Sequence, residues 1–303
     1  MAKRFHMVTG AFGYTGKYIA RRLLSEGETV KSLTGHAESN TFSSRVQAFP
    51  YDFDKPDRLK KNLEEAKVLY NTYWIRFPRG KMTYEKAVRN TAALLEAAAE
   101  AQVERLVHIS ISNPCEAPHL PYFQGKCKVE KLVKQSGLSY AILRPAVIFG
   151  REDILINNIA YLLRTVPAFG VIGFGGYRIR PIYVDDLAKL AVEFAKQSEN
   201  RVINAIGPES FTFKQLLRLI KNKVDSKALL VPMPARLAFL ASRIIGLGVR
   251  DVLLTWDEVE GLTAGLLDVD DAPVGETRLS RWLEENADTV GRKYSSELAR
   301  HYR

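Results

Sequence analysis

An α/β fold with a doubly wound parallel sheet is the architecture that the sequence predicts. Short apolar runs alternate with amphipathic helical patterns over roughly the first 200 residues, which is typical of a parallel sheet covered by helices on both faces. The first apolar run passes into the first helix through three glycines spaced three apart. The length of 303 residues exceeds one typical domain, so we expect a core domain and a smaller lobe.

The strands and helices of the core are predicted in a regular order. Apolar runs give the strands, and apolar residues three or four apart give the helices. The predicted strands are Phe5–Thr9, Thr29–Thr34, Val46–Tyr51, Val68–Thr72, Arg105–Ser110, Ser139–Leu143, Ile179–Ile182 and Asn200–Ile206. The predicted helices are Gly16–Ser25, Pro56–Glu65, Tyr84–Ala101, Gly125–Ser136 and Val184–Lys196.

The pattern weakens after Arg144, where loops and short helices are expected. We assign residues 1–205 to a Rossmann-type core domain, with residues 151–180 contributing to a substrate lobe. Residues 206–303 form the rest of that smaller, mostly helical C-terminal lobe.

The glycine turn after the first strand predicts a dinucleotide site. Gly10 allows a sharp turn, Gly13 allows backbone N–H groups to approach a pyrophosphate, and Gly16 allows the helix to pack closely on the strand. The helix N-terminus then presents its positive end to the phosphates. Spaced glycines alone are a weak signal, and the flanking strand and amphipathic helix supply the context that makes them specific.

The composition narrows the function classes. The chain has 46% hydrophobic and 26% charged residues, as soluble globular proteins do. Its net charge of +10 comes from Lys and Arg scattered over many helices among acids, so we expect no nucleic-acid partner. No apolar stretch is long enough to span a bilayer, and the early strand leaves no room for a signal peptide.

The two cysteines, Cys115 and Cys127, are too few for a metal framework and are not needed as a disulfide in a chain of this length. No pair of histidines has metal-ligand spacing, and His6 and His108 lie in predicted strands as packing residues. We therefore expect a cytoplasmic protein with reduced cysteines and no metal ion.

A phenol and an ammonium four residues apart form the candidate catalytic pair. Tyr122 and Lys126 share one face at a helix start. A nearby cation stabilises a phenolate, so such a tyrosine can exchange a proton with a substrate oxygen. Tyr51 and Lys55 have the same spacing but lie on the adenine side of the expected site. Ser112, just after strand five, is the candidate hydrogen-bond donor to the same substrate oxygen.

These residues resemble the atypical and extended short-chain dehydrogenases/reductases. The resemblance rests on the glycine turn, on the set Ser112, Tyr122 and Lys126, and on the segments Leu143–Gly150 and Pro181–Asp186. It covers roughly residues 4 to 195. In detail, Phe149–Asn158 resembles the branch that contains the nucleotide-binding accessory subunit of respiratory complex I and bacterial epimerase-like proteins.

The resemblance implies where a nicotinamide dinucleotide binds. Lys126 is implied to hold the nicotinamide ribose, Asp52 and Phe53 to border the adenine, and the backbone at Pro145–Val147 to lie near the carboxamide. Asp52 could instead cap a loop, and Pro145 could simply end a strand. The expected cofactor contacts are Gly10, Phe12, Gly13, Tyr14, Thr15, Gly16, Thr34, His36, Asp52, Phe53, Asn71, Thr72, Tyr73, Lys126, Pro145 and Val147.

The end of the second strand governs the choice of coenzyme. An acid there hydrogen-bonds the ribose 2′-OH of NAD, whereas a cation accommodates the 2′-phosphate of NADP. This chain has Thr34-Gly35-His36, with no acid at the position and with Lys17 nearby. We therefore expect NADP(H) to be slightly preferred to NAD(H).

Two departures from the family pattern bear on activity. Relatives often have two small residues after the fourth strand, where this chain has Tyr73 and Trp74. Either these rings pack over the cofactor or substrate, or they narrow the pocket and alter the chemistry. The central helix also has Ala87 where relatives often have an Asn that assists a proton relay.

Three functions remain open. The leading one is an NAD(P)H-dependent oxidoreductase that transfers a hydride to or from a carbonyl or alcohol carbon of a small-molecule substrate. The second is a sugar-nucleotide epimerase or dehydratase that retains NAD. The third is a non-catalytic dinucleotide-binding subunit or redox sensor, and in each case the chain is a monomer or a homodimer.

A largely apolar helix is predicted at Ala235–Ile245, with Arg236 and Arg243 one heptad apart on one face. A helix of this kind that covers a cleft or forms a dimer contact is the first expectation. Peripheral contact with a membrane is the alternative.

Overall fold

The computed structural model describes residues 4–301 of the chain. Its strands are β1 (Phe5–Thr9), β2 (Val30–Leu33), β3 (Val46–Phe49), β4 (Ala66–Asn71), β5 (Arg105–Ile109), β6 (Tyr140–Pro145), β7 (Val147–Phe149), β8 (Ala168–Ile172), β9 (Arg178–Ile179), β10 (Pro181–Tyr183), β11 (Arg201–Ala205), β12 (Phe211–Thr212) and β13 (Leu229–Met233). Its α-helices are α1 (Tyr14–Ser25), α2 (Pro56–Leu63), α3 (Tyr84–Glu100), α4 (Pro121–Gln135), α5 (Leu155–Thr165), α6 (Val184–Ala195), α7 (Phe213–Lys223), α8 (Ala235–Val249), α9 (Trp256–Thr263), α10 (Leu279–Glu285) and α11 (Glu297–His301).

The main sheet has seven strands in the order β11-β6-β5-β4-β1-β2-β3. The pairs from β6 through β3 are all parallel. Strand β1 lies between β2 and β4, so the order of the strands reverses there. In open α/β sheets ligands bind beside the carboxyl ends of the strands at such a reversal. The predicted doubly wound, Rossmann-type fold is therefore confirmed.

The chain divides into two compact units. The first comprises the chain through Pro145 together with Val184–Asn204. It contains strands β1 to β6 of the main sheet and helices α1 to α4 and α6. The second comprises Ala146–Tyr183 and the chain from Ala205 onward. The segment Val184–Asn204 thus returns to the first unit after the chain has entered the second.

The core of the first unit lies between the sheet and its helices. Every residue of β1 is buried, because a parallel strand in the middle of such a sheet is covered on both faces. Met7, Leu69 and Leu106 from three neighbouring strands pack in one apolar cluster with Leu94 of α3 and Val129 of α4. Burial of each such side chain contributes about 1.5–3 kcal/mol to stability.

The second unit has a core of its own, around Phe149, Leu216 and Trp282. This unit contains three two-stranded sheets. Strand β7 pairs with β10 in parallel, β8 pairs with β13 in parallel, and β9 pairs with β12 in antiparallel orientation. The single strand predicted at Ile179–Ile182 is two short strands with Arg180 between them. Strands β8 and β13 lie in regions where the sequence predicted loops and helices.

Two helices begin earlier than the sequence pattern predicted. Helix α1 begins at Tyr14 because Gly13 is its N-cap in an extended conformation. Helix α4 begins at Pro121, and proline is favoured at the first position of a helix because its fixed φ suits that turn. Helix α6 begins at Val184, as predicted.

No helix among residues 4–301 is long and apolar enough to cross a membrane. Over the same described residues, no group of three or more His, Cys, Asp or Glu side chains could hold a metal ion.

Candidate functional site

The glycine turn brings the end of β1 into direct contact with the start of α1. Gly10 has φ +65°, a conformation that costs glycine little, and the Gly13 N–H donates to its carbonyl over 2.9 Å. A Cβ built on Gly16 would lie 2.2 Å from the Gly10 oxygen, so only glycine permits this packing. The conformational roles that the sequence assigns to Gly10 and Gly16 therefore match the structure.

The N-terminus of α1 presents unneutralised backbone dipoles. The first turn of this helix has no acidic residue, and its N-cap, Gly13, has no side chain to accept from the amides. The first four N–H groups of a helix lack partners within it, and they attract anions. The Ala11 N–H is already used, because it donates to Ser32 Oγ over 3.2 Å. The amides from Tyr14 to Gly16 are the backbone donors that suit a diphosphate.

A hydroxyl at the end of β1 fixes the end of β4. Thr9 Oγ1 accepts from the backbone N–H of Thr72 over 2.7 Å and from that of Tyr73 over 3.1 Å. Thr72 Oγ1 in turn donates to the Thr9 carbonyl. Asn71 is fully buried, and its Oδ1 accepts from the Thr9 hydroxyl. The Asn71 side chain thus acts inside the fold, whereas Thr72 and Tyr73 follow it beside the glycine turn.

Three rings pack together beside the glycine turn: Tyr51, Phe53 and Tyr73, with centroids 4.9 to 5.1 Å apart, and Tyr51 stacks on Phe53. The Tyr51 hydroxyl lies 3.6 Å from where a Gly10 Cβ would stand, and its ring lies 3.8 Å from that of Gly35. Burial raises the pKa of Tyr51, so this phenol remains protonated. The ring of Phe53 is therefore close to the site, as the resemblance implies for a residue bordering adenine.

Asp52 lies beside that ring but is bound to helix residues. Its carboxylate is 3.2 Å from Lys55 Nζ and 3.5 Å from Arg58 Nε, and its carbonyl accepts from the Lys55 N–H. Asp52 also has φ +43°. These contacts are those of a residue that caps the loop before α2, which was the alternative interpretation.

The end of β2 has an acid that the sequence analysis missed. The His36 N–H donates to Thr34 Oγ1 over 3.0 Å, which forms a tight turn. His36 Nδ1 lies 3.3 Å from Glu38 Oε1, and both side chains are exposed. Glu38 therefore offsets the positive charge that a protonated His36 would offer a 2′-phosphate. Nearby, Phe12 of the glycine turn packs on Phe42 with ring centroids 6.4 Å apart.

Lys126 is the most unusual charged residue of the site. It is only 4% exposed, and its Nζ donates to the Ile109 carbonyl at the end of β5 over 3.2 Å. The same Nζ lies 4.9 Å from the centre of the Trp74 ring. Burial lowers the pKa of Lys126 to about 7, against the opposing effect of Glu130. This amine can therefore change charge near neutral pH.

Trp74 lies against α4 and contacts both residues of the candidate catalytic pair, Tyr122 and Lys126. A Cβ on Gly125 would stand 2.8 Å from the indole, so glycine at this position makes room for the ring. Tyr122 meets the Trp74 ring edge-on at 6.1 Å, and Tyr84 stacks on it at 6.0 Å. Trp74 Nε1 is buried and has no hydrogen-bond partner among the described residues. Because buried donors are nearly always hydrogen-bonded, this N–H indicates a position where a water molecule or a polar group of a ligand accepts from it.

Ser112 is fully buried, and its N–H donates to the Pro145 carbonyl over 3.0 Å. This bond joins the segment after β5 to the end of β6. Ser110 faces the core, where its hydroxyl donates to Glu130 Oε1 over 2.6 Å. Arg144 then binds both oxygens of Glu130, at 2.8 and 2.6 Å. This network anchors α4 to strands β5 and β6.

His108 is the neighbour of Asn71 in the sheet. Its Nδ1 is 3.2 Å from Asn71 Nδ2, and it is buried in β5. Burial, and to a smaller extent the charge of Lys126, lowers the pKa of His108 to about 3. This imidazole is therefore neutral at physiological pH and serves packing, as the sequence analysis expected.

The expectation of reduced cysteines is wrong in this structure. Cys115 and Cys127 form a disulfide across twelve residues. It joins the segment after Ser112 to the residue that follows Lys126 on α4. A chain of this length does not need a disulfide to stabilise the whole fold, but its length says nothing about a disulfide that closes a local loop.

The structure brings some predicted residues together and separates others. Tyr122 and Lys126 share α4 and both contact Trp74. Pro145 is the last residue of its segment in the first unit, whereas Val147 belongs to the second. Ala87 is fully buried in α3, and one turn later Asn90 Nδ2 donates to the Tyr73 hydroxyl over 2.7 Å. Asn90 was not singled out from the sequence, although an amide on this helix was the group found missing.

The site fits a nicotinamide dinucleotide on three observations of this structure. The packing of the glycine turn admits no side chain at Gly16, the N-terminus of α1 has no acid, and Trp74 Nε1 lacks a partner among the described residues. Comparison with known proteins agrees. A family model described as NAD(P)H-binding matches residues 10–156.

Two curated relatives and one solved structure extend the comparison. The chain is 22% identical over 263 residues to the mitochondrial NADH-ubiquinone oxidoreductase 40 kDa subunit of Neurospora crassa, covering 84% of this chain and 69% of that one. It is 26% identical over 245 residues to the photosystem II assembly factor Ycf39 of Guillardia theta, covering 79% and 76%. The structure of Citrobacter sp. triphenylmethane reductase complexed with NADP(H) superposes with a TM-score of 0.74 at 16% identity, covering 93% and 99%.

At that identity the solved structure shows only a shared fold. The two curated relatives are named as a subunit of a mitochondrial NADH-ubiquinone oxidoreductase and as a photosystem II assembly factor. The glycine turn, the sheet order and these matches confirm the resemblance to the atypical short-chain dehydrogenases/reductases, and the match to the NAD(P)H-binding family model extends over residues 10–156.

Proposed function

We propose that the protein is an NAD(P)H-dependent oxidoreductase that transfers a hydride to or from a carbonyl or alcohol carbon of a small molecule. The observation that carries the proposal is the geometry of Lys126. This buried amine, with a pKa of about 7, lies one helical turn from Tyr122 and donates to the end of β5. An enzyme that moves a proton near neutral pH needs such a group beside a phenol.

The coenzyme is assigned to the carboxyl ends of the strands in the first unit. Its diphosphate is assigned to the α1 N-terminus, its adenine to the rings beside Phe53, and its nicotinamide ribose to Lys126. When bound, the nicotinamide accepts or donates the hydride. The residues proposed to line it are Gly10, Phe12, Gly13, Tyr14, Thr15, Gly16, Thr34, His36, Asp52, Phe53, Asn71, Thr72, Tyr73, Lys126, Pro145 and Val147.

The proton chemistry is assigned to three side chains. During reduction, Tyr122 Oη donates its proton to the substrate oxygen, and the Lys126 ammonium stabilises the phenolate that remains. During oxidation the same phenolate takes the proton back. Ser112 Oγ donates a hydrogen bond to the same oxygen. Enclosure of Lys126 strengthens its electrostatic effect, because charges interact more strongly away from water.

A modest preference for NADP(H) over NAD(H) belongs to this proposal. Thr34 and His36 offer no negative charge to a 2′-phosphate. Glu38, 3.3 Å from His36 Nδ1, limits the preference because it partly cancels the charge of a protonated imidazole.

One observation favours a second candidate, a non-catalytic dinucleotide-binding subunit or redox sensor. The indole of Trp74 contacts both Tyr122 and Lys126, so it lies where a substrate would have to approach them. The Neurospora crassa relative is itself named as a subunit. Under this candidate the coenzyme binds but nothing is turned over.

Replacement of the phenol separates the two candidates. In Tyr122→Phe we expect NADPH affinity to stay within about twofold, while reduction of a panel of aldehydes, ketones and quinones falls at least 100-fold, roughly the contribution of a general acid. Tyr161→Phe, a phenol on α5 of the second unit, is the matched control and should lose nothing. If the wild-type protein binds NADPH but reduces no compound of the panel, the non-catalytic candidate replaces the enzyme.

A further inference from the structure

Helix α8 of the second unit exposes most of its apolar side chains. Only Ala238 and Gly246 are buried in it, and Ala238 packs with Ile172 and Val259. On the outer side Leu237 is 56% exposed, Leu240 56%, Ile244 63% and Leu247 81%. Such large aliphatic side chains are usually inside a protein, so their exposure needs a reason.

The four exposed side chains form one continuous stripe. They are spaced three, four and three residues apart, and at 100° per residue they span only about 80° of the helix circumference. A contiguous exposed stripe of this kind marks an interaction site, whereas apolar residues scattered singly over a surface do not. We refer to Leu237, Leu240, Ile244 and Leu247 as the α8 stripe.

Cations flank the α8 stripe. Arg236 and Arg243 lie seven residues apart, so they share one edge of it, and Arg250 ends the helix in a left-handed conformation. The helix itself contains no acid, and none of the three arginines forms an ion pair within the described part of the chain. Two of the three acids of the adjacent helix α9 are engaged locally: Glu258 caps that helix, and Glu260 accepts from Trp256 Nε1.

The dimensions of α8 exclude a transmembrane arrangement. Its 15 residues span about 22 Å, less than the roughly 30 Å of a bilayer core. A helix with an apolar face and an arginine-lined edge instead lies in the plane of the interface, with its leucines among the acyl chains and its arginines at the phosphates.

We propose that α8 docks the protein on a membrane surface rich in anionic lipid, with the α8 stripe immersed and Arg236 and Arg243 bound to lipid phosphates. Charge favours a lipid over a second copy of this chain. A two-fold interface would set the same arginine edge against itself, with no acid of the helix to offset it. A bilayer with anionic headgroups supplies the opposite charge along the whole edge.

Vesicle co-sedimentation of the full chain tests this proposal without any coenzyme, so its outcome does not depend on the proposed function. We expect binding to vesicles of equal parts phosphatidylcholine and phosphatidylglycerol, and weak binding to phosphatidylcholine alone. Arg236→Gln with Arg243→Gln should lower the affinity about 20-fold, or roughly fivefold for each charge. Ile244→Asn with Leu247→Asn should lower it at least tenfold, because two immersed side chains are lost.

Two matched controls accompany these variants. Lys61→Gln with Lys227→Gln removes the same charge from exposed positions elsewhere, and Val202→Asn removes an exposed aliphatic side chain from the other unit. Both should bind vesicles as the wild type does. The proposal is overturned if the wild type does not sediment with anionic vesicles at low salt, or if the α8 variants sediment equally. It is also overturned if their only effect is to convert a dimer into a monomer in analytical ultracentrifugation.

Discussion

Lys126 shows how one residue can be costly to the fold and useful to the site. Its side chain is almost fully enclosed, yet within residues 4–301 its amine has one carbonyl acceptor and the face of an indole as partners. Desolvation therefore dominates and lowers its pKa to about 7. A buried amine of this kind opposes folding whenever it is charged. Lys126 nevertheless occupies the position where the proposed proton transfer takes place, and perturbed pKa values are typical of such positions.

Replacement of this lysine should stabilise the protein in a pH-dependent manner. The pKa of Lys126 is lower in the folded chain than in the unfolded one, so the unfolded chain binds more protons between about pH 7 and pH 10.5. Stability contributed by this residue therefore rises with pH across that window. Lys126→Met should raise the free energy of unfolding more at about pH 6 than at about pH 10. Urea denaturation at both pH values measures it, with Lys131→Met as the exposed control on the same helix, and a gain that is equal at both would contradict the burial of the charge.

The second prediction at the residue scale concerns Glu38 and the choice between NADPH and NADH. Removal of its charge beside His36 should favour a 2′-phosphate, because one repulsive carboxylate at a distance of a few ångströms is worth about 1 kcal/mol near water. In Glu38→Gln we expect the ratio of NADPH to NADH affinity to rise about fivefold. Fluorescence titration with both coenzymes measures the ratio, and Glu64→Gln on the surface is the control. An unchanged ratio would place the 2′ position elsewhere.

Helix α4 is the element on which the site depends. It carries Tyr122 and Lys126, Gly125 admits Trp74, and the Ser110–Glu130–Arg144 network fixes its middle to two strands. The disulfide adds a covalent link in its second turn, from Cys127 to the segment after Ser112. Packing, polar and covalent contacts thus all act on the same four turns of helix.

Reduction of that disulfide should lower stability measurably. A closed loop of this length restricts the unfolded chain, and its loss costs about 3 kcal/mol in the chain-entropy account. We expect the urea midpoint of the wild type to fall when a dithiol is added, and that of Cys115→Ser with Cys127→Ser to be insensitive to it. Equal midpoints for the wild type in both conditions, with two titratable thiols before reduction, would show that the link does not form.

The sequence predicted the elements whose signals are local. The glycine turn, the alternation of strands and helices and the Tyr122–Lys126 spacing all follow from neighbouring residues. The partnership of Gly125 with Trp74 did not, because the two come from separate elements and meet only in the folded sheet. Likewise the pairing of β8 with β13 joins segments about 60 residues apart, where no periodicity reports the register.

At the scale of the whole molecule, the chain consists of two units, and the sequence pattern predicts the secondary structure of the first better than that of the second. The first has apolar strands of four to six residues that are covered on both faces and alternate regularly with helices, which gives a strong signal. The second has strands of two to five residues around Phe149 and Trp282, and short strands carry little pattern of their own. The departure and return of the chain at Ala146 and Val184 follow from contacts between distant segments, so local patterns could suggest the second unit but not its bounds.

The central claim is that the N-terminus of α1 binds the diphosphate of a nicotinamide coenzyme. Gly13→Asp tests it most directly, because aspartate is a favoured N-cap that preserves the helix while placing a carboxylate where the diphosphate is assigned. Gly13→Asn has the same shape and capping ability without the charge, and it is the matched control.

The deciding measurement is an equilibrium titration of the wild type and both variants with NADPH and NADH, with thermal unfolding recorded alongside. The account predicts saturable binding of one coenzyme per wild-type chain, a loss of about 100-fold or more in Gly13→Asp, a much smaller loss in Gly13→Asn, and no drop in thermal stability of the free Asp variant. A wild type that binds neither coenzyme, or a Gly13→Asp variant that binds as tightly as the wild type, would contradict it.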